Sequence, residues 1–580
     1  MKNQHFWRYL MIGIVLGVAC VAVLVQIVRI QNSREVAGVA GQGDYLWKTF
    51  YPARGEIYDR NGHLLAGNKT VYEVGVDLTM DHDMDTILLA ARMAGLDMVE
   101  ITNRLAMLSD EATYMLLDDF VSVEQVEQLK SLQAAAHDDP SGKNLDALAF
   151  IAHVARSYPE NDLASNILGF VAEDNHGYLG VEEKYDSLLA GIPVTLLVPA
   201  DPRRVSEYPT ITPGQTIILT LDRELQSAVE GILDDALDST GAVSGTIVVM
   251  DPRTGEILAM SSTPRMNLNE YLPELAKFPD GTPFNRAVSQ SYEAGSVVKI
   301  LTMAAALDNG TVTRDTVYLD TGEIIVGGVP IHNWDGGAWG WQDMTGCLAH
   351  SLNVCLAWAS TQMGNDAFYG YMQRFGLGHL TGIDLAAETA GRLKLPGDGD
   401  WYPVDLGTNA FGQGVSVTPI QMLMAASALA NDGQMVYPHM LYAQVQGGRQ
   451  STMSTQVVGT PISAETAQII SDMLANGLEL ESSDALLDGY RIAGKTGTAQ
   501  IPVDYGNGVY GYDENEINAS FIGWGPVDDP QFLVYVWLEE PQTNRAASVV
   551  AAPIFRQVVE KVVTLLNIPP DTVRLQNTGR

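Results

Sequence analysis

Cysteine is scarce, with three in 580 residues. Cys20 sits in an apolar N-terminal stretch, and no Cys/His cluster has metal-ligand spacing, so neither a metal nor a cofactor is expected. Cys347 and Cys355 are eight apart in a run that reads as one helix. A rise of roughly 12 Å between them is too long for a disulfide, so no structural disulfide is expected. Basic charge is also short: 34 Lys+Arg stand against 70 Asp+Glu, a formal net charge of −36. The basic residues form no cluster, which excludes a nucleic-acid-binding face. Long apolar runs are missing too, with one exception. Tyr9 to Val28 carries no charge, is flanked by Arg8 and Arg29, and suits a single spanning helix with Trp7 and Tyr9 at the interface. A cleaved leader would have a shorter apolar core, and a lipidated Cys20 would not be followed by eight more apolar positions. The flanking charges are balanced and do not orient the span.

What remains is ordinary globular composition, 46% hydrophobic and 18% charged, with length for two to four domains. Asn61-Gly62 between apolar runs predicts a tight hairpin, with Arg54, Asp59 and Arg60 placed for ion pairs. Residues 79 to 160 read as helical, with a loop at 138 to 142. Thr216 to Thr220 reads as a strand, followed by an amphipathic helix from Leu221 to Leu237 capped near Asp222. Gly245–Asp251 and Glu256–Ser261 form a predicted hairpin. Helical patterns start at Ser296, Gln342 and Thr418. Ile492–Gln500, Ala519–Gly525 and Phe532–Leu538 read as strands, Val549–Leu566 as a closing helix, and Asn567–Arg580 as a loose tail. Strands at both ends with helices between predict an α+β domain whose antiparallel sheet is covered by helices.

Three short motifs fall in that domain: Ser296-Val297-Val298-Lys299, Ser351-Leu352-Asn353 and Lys495-Thr496-Gly497-Thr498. Each alone is weak; a Ser-x-Asn is usually a cap or turn. Together and in order they match serine acyl-transfer chemistry. Residues i and i+3 share a helix face, so Lys299 can take the Ser296 proton. Ser351 can relay a proton to a leaving amine, and Asn353 can hold Lys299 and a substrate amide. Lys495 adds positive charge that lowers the Lys299 pKa and attracts a carboxylate. Gly497 allows close backbone approach of a substrate to the strand edge, and the hydroxyls of Thr496 and Thr498 suit a terminal carboxylate. The N–H groups of Ser296 and Thr498 suit an oxyanion hole.

These motifs resemble those of the class B penicillin-binding proteins, the monofunctional peptidoglycan D,D-transpeptidases. The similarity extends to Arg54–Gly62, Gly180–Asp186, Asp251–Met260, Asn285–Val288 and Gly412–Pro419. One departure is Ala294, where relatives commonly carry Pro. The resemblance implies a cytoplasmic segment at 1–8, a transmembrane helix at 9–30, an elongated pedestal (dimerisation-like) domain at 31–238, a transpeptidase domain at 239–566 and a tail at 567–580. It implies stem-peptide cross-linking outside the cell membrane with release of D-Ala, covalent capture of β-lactams, and a polytopic membrane glycan polymerase as partner. The rivals are a membrane-anchored β-lactamase and a β-lactam sensor.

Overall fold

The computed structural model describes residues 45–580, apart from 110–111, 138–143, 200–210, 277, 280, 505–509, 545 and 579–580. The expected segments 1–8 and 9–30 lie outside the described residues. Among the described residues no helix is long and apolar enough to cross a membrane.

The chain forms two units. In the smaller one, residues 72–77 of the strand Leu64–Asp77 pair antiparallel with Tyr114–Val121. Three helices, Met84–Met93, Met98–Ala106 and Val123–His137, supply Ile87, Ile101 and Leu129 to its core. The sequence predicts helices over 79–160, with a loop at 138–142, but Tyr114–Val121 and Leu148–Ser157 are strands. Met115, Leu117 and Val121 are buried among less buried neighbours, a period near two in a stretch too short to separate strand from helix.

In the larger unit, the predicted hairpin forms between Ile57–Tyr58 and the start of the next strand, with Ile57 opposite Ala66. The carboxylate of Asp59, fully buried, accepts from the backbone N–H groups of Asn61, His63 and Arg223. Helix α1 (Arg223–Thr240) begins at Asp222, whose side chain accepts from the Leu225 N–H, and ends at Gly241 in the left-handed region. It straddles the 238/239 boundary that the resemblance implies, and lies wholly in this unit. The central sheet comprises β1 (Ser244–Met250), β2 (Ile257–Ser262), β3 (Ala493–Asp504), β4 (Tyr510–Gly525) and β5 (Phe532–Glu539). Its order is β2-β1-β5-β4-β3, antiparallel throughout, with β3 at the edge.

Both faces of this sheet are covered, and the alternation of side chains shows it. Val248, Met250, Tyr535 and Trp537 enter the core on one face. Ile247, Val249, Val534 and Val536 enter the core on the other. The second core also takes up α1 and the closing helix Ala547–Leu565. The first is filled by helices Lys299–Asp308 (α2), Met344–Ala349 (α3), Asn353–Met363 (α4), Pro419–Ala430 (α5) and Ala464–Leu480 (α6). Helix α5 is buried at every position, and a capping box between Thr418 and Gln421 with Pro419 in the first turn fixes its start. The closing helix (α7) is followed by α8 (Asp571–Thr578), where the sequence predicts a loose tail. Arg574 anchors it, donating at 2.6 Å to Asp571 one turn back and at 2.6 Å to Asp528, the latter a long-range pairing with no local signal.

The expected absence of a disulfide is overturned. Cys347 and Cys355 are bonded, with Cα atoms 6.1 Å apart. The single helix assumed across them is broken into α3 and α4. Ser351 sits at φ +54°, its N–H donates to the Leu348 carbonyl, and the Leu352 N–H donates to the Cys347 carbonyl. This is a Schellman stop, in which the left-handed residue is usually glycine. A serine there hides the helix end from sequence reading, and the fold back between α3 and α4 removes the separation that a straight helix would impose.

Candidate active site

Ser296 lies in a 3-10 turn, Gly295–Val298, that leads directly into α2 at Lys299. Gly295 has φ +59°, and a Cβ there would lie 2.8 Å from the Thr498 carbonyl, so glycine lets the turn press against β3. Gly497 serves the same approach from the other side. Its missing Cβ would collide with Ser520 Oγ and stand 2.9 Å from the Ala294 carbonyl. What the missing Cβ of Gly497 admits is the nucleophile turn, rather than the substrate for which the sequence predicts room.

Ser296, Ser351, Asn353, Lys495, Thr496 and Thr498 line one cavity of about 720 Å³. Lys299 is fully buried beneath it. Its Nζ donates to the Ser351 carbonyl at 2.6 Å and to Asn353 Oδ1 at 2.8 Å, which uses both hydrogens of a neutral amine, and lies 3.1 Å from Ser351 Oγ. The left-handed Ser351 turn is what aims both its carbonyl and its hydroxyl at this amine. Burial holds the Lys299 pKa well below the ordinary lysine range, and the Lys495 charge lowers it further. No carboxylate offsets these effects at Lys299, which favours the neutral amine, a proton acceptor. Lys495 is pushed down to about 8 by burial, with Glu481 pulling the other way. Its Nζ donates to the Thr496 carbonyl and hydroxyl, both at 3.3 Å.

Three features of the cavity were not legible in the sequence. The first turn of α7 reaches it through Ala546, Ala547 and Ser548, and the Ala547 N–H donates to Thr498 Oγ1 at 3.3 Å. A helix N-terminus there favours an anion beside Lys495. Also lining it, His350 stacks on Trp339 with ring centroids 4.3 Å apart, and its Nδ1 lies 2.6 Å from Glu481. Trp334 Nε1 donates to the His350 carbonyl. At the mouth, Tyr512 donates to Glu293 at 3.0 Å, just ahead of the nucleophile turn. Burial raises the pKa of Glu293 and, with Glu293 itself, that of Tyr512. The one sequence cue to any of these is the position of His350 next to Ser351.

Residues 245–560 match the family model of the penicillin-binding protein transpeptidase domain, and residues 49–196 match that of the penicillin-binding protein dimerisation domain. The chain belongs to the class B penicillin-binding proteins. It is 32% identical over 546 residues to stage V sporulation protein D of Bacillus subtilis, covering 90% of this chain and 79% of that one. It is 27% identical over 535 residues to the peptidoglycan D,D-transpeptidase FtsI of Escherichia coli, covering 90% and 85%. The crystal structure of penicillin-binding protein 3 of Mycobacterium tuberculosis, complexed with aztreonam, is similar at a TM-score of 0.68 and 26% identity, covering 90% of this chain and 98% of that one.

Proposed function

We propose that this class B penicillin-binding protein is a peptidoglycan D,D-transpeptidase working through an acyl-enzyme on Ser296. The observation that carries the reading is the buried Lys299 amine, held by Ser351 and Asn353 at the floor of the cavity that Ser296 and Lys495 line. Ser296 Oγ attacks the carbonyl carbon of the penultimate D-Ala and gives its proton to neutral Lys299. The oxyanion forms against the backbone N–H groups of Ser296 and Thr498. The C–N bond then breaks, and the departing D-Ala amine takes a proton relayed through Ser351 Oγ. An acceptor amine attacks the ester and frees Ser296. The terminal carboxylate is held by Lys495, Thr496, Thr498 and the N-terminus of α7. β-Lactams present the same carboxylate and a strained amide, and stall on Ser296.

Residues 9–30 form the membrane anchor in this reading, with the catalytic domain outside. The Cys347–Cys355 disulfide supports that side, since buried disulfides belong to oxidising compartments. A membrane glycan polymerase is the partner that would supply the strands.

The test is intact-protein mass of the full chain in detergent, followed over hours with penicillin. A stable adduct on the peptide containing Ser296, absent in Ser296→Ala, is expected. Undiminished labelling of Ser296→Ala would refute the nucleophile. An adduct gone within seconds, with drug consumed, would instead make the protein a β-lactamase.

A further inference from the structure

The disulfide encloses the catalytic turn. Cys347 lies in α3, four residues before Ser351, and Cys355 lies in the first turn of α4, two residues after Asn353. Both cysteines are fully buried in the same core as α2. Between them stands a serine in a backbone region that L side chains rarely adopt. Such a conformation persists only where its surroundings over-determine it. The requirement is chemical: glycine would relax the turn but would remove the hydroxyl that Lys299 contacts. On one side, Trp334 donates to the His350 carbonyl and Glu481 pairs with the His350 ring. Within the segment itself, the covalent tie is the cysteine bridge.

We propose that Cys347 and Cys355 are positioning residues: their disulfide holds the Ser351–Asn353 turn in register with Lys299 and sets the acylation rate through those two side chains. The cysteines touch neither substrate nor reacting atoms. A register error of about 1 Å in such a turn can cost up to a hundredfold in rate. The inference rests on Ser296 and Lys299 as nucleophile and base.

The experiment measures the second-order rate of acylation by a fluorescent penicillin. The variants are Cys347→Ala/Cys355→Ala and the better-filling Cys347→Ala/Cys355→Val, each also made with Ser351→Ala/Asn353→Ala and, separately, with Lys495→Ala. Thermal unfolding is followed in parallel. The expected result is a cooperative transition and a rate at least about tenfold lower in the otherwise native background. The same penalty should persist with Lys495→Ala, and shrink to about twofold or less with Ser351→Ala/Asn353→Ala, because the groups being positioned are then gone. An unchanged rate, or an equal penalty in all backgrounds, overturns the proposal. So does loss of cooperative unfolding in both cysteine variants, which would make the bridge a determinant of the whole fold. Label found elsewhere than Ser296 would sink the underlying catalytic reading; label on Ser296 that is indifferent to the cysteines sinks only this inference.

Discussion

Around Arg54 each buried cation has a carboxylate, whereas around Lys299 the nearest buried charge is another cation. Arg54 donates to Glu182 at 2.8 Å and to Asp186 at 2.7 Å, and Arg156 donates to Glu182 at 2.6 Å. Burial alone would lower the Arg54 pKa; the Glu182 carboxylate, aided by Asp186, leaves it raised. Lys299 and Lys495 are buried as deeply, but burial lowers both, and the Lys495 charge lowers Lys299 further. A paired buried charge is a fixed structural tie, costly to break from one side. An amine held neutral by burial and a like charge is reactive. Local geometry explains the assignment: Lys299 receives oxygen acceptors from a serine and an asparagine, which orient the amine without favouring its protonation as a carboxylate would.

The contrast predicts opposite signatures on the two sides. Lys299→Met should lower penicillin acylation by more than about a thousandfold. Its unfolding free energy should move by less than about 1.5 kcal/mol, because the hydrogen bonds lost are offset by removal of a poorly solvated amine. Glu182→Ala leaves buried Arg156 without its carboxylate and Arg54 with Asp186 alone, and should cost about 3–5 kcal/mol, read as a large drop in Tm. Acylation per folded Glu182→Ala molecule should change little. Equal destabilisation by the two substitutions would erase the distinction between tie and catalyst.

How much of this was readable follows the range of each interaction. The strands β1 to β5 and helix α1 were legible because apolar periodicity and the Asp222 cap are local. So were Ser296, Lys299, Ser351, Asn353, Lys495, Thr496 and Thr498 as candidates, since three motifs in fixed order are local patterns. The break at Ser351 was not, because its glycine signal is replaced by the residue the chemistry uses. The disulfide was lost with it. Glu481, His350, Trp339, Tyr512 and the first turn of α7 reach the cavity only through tertiary packing. The docking of α8 through Arg574 and Asp528 is illegible for the same reason.

Within the lysine pair the two cations are unequal, and removing each should show it. Lys495→Ala keeps the general base, so acylation should fall by about a hundredfold rather than a thousandfold. Thermal stability should change little, since the buried amine lost there has no carboxylate within ion-pair distance among the described residues. A Lys495→Ala protein with normal acylation kinetics would deny this lysine any electrostatic part.

The smallest effect tests how the pair is tuned. Acylation requires neutral Lys299 and charged Lys495, so its rate should rise with pH as Lys299 loses its proton and fall as Lys495 titrates near 8. The groups facing Lys495 are Lys299 on α2 and Glu481 just beyond α6, the latter paired with His350. Glu481 raises the Lys495 pKa, so Glu481→Gln should lower it and move the alkaline limb to lower pH. Loss of the Lys495 charge also weakens its hold on the Lys299 pKa, which rises, so the two changes reduce the rate together. The variant should therefore be close to wild type at pH 7 and several-fold slower at pH 8.5, measured by stopped-flow acylation. A limb that stays in place would show that Glu481 is screened from Lys495, and that burial alone sets the charge on the carboxylate-binding lysine.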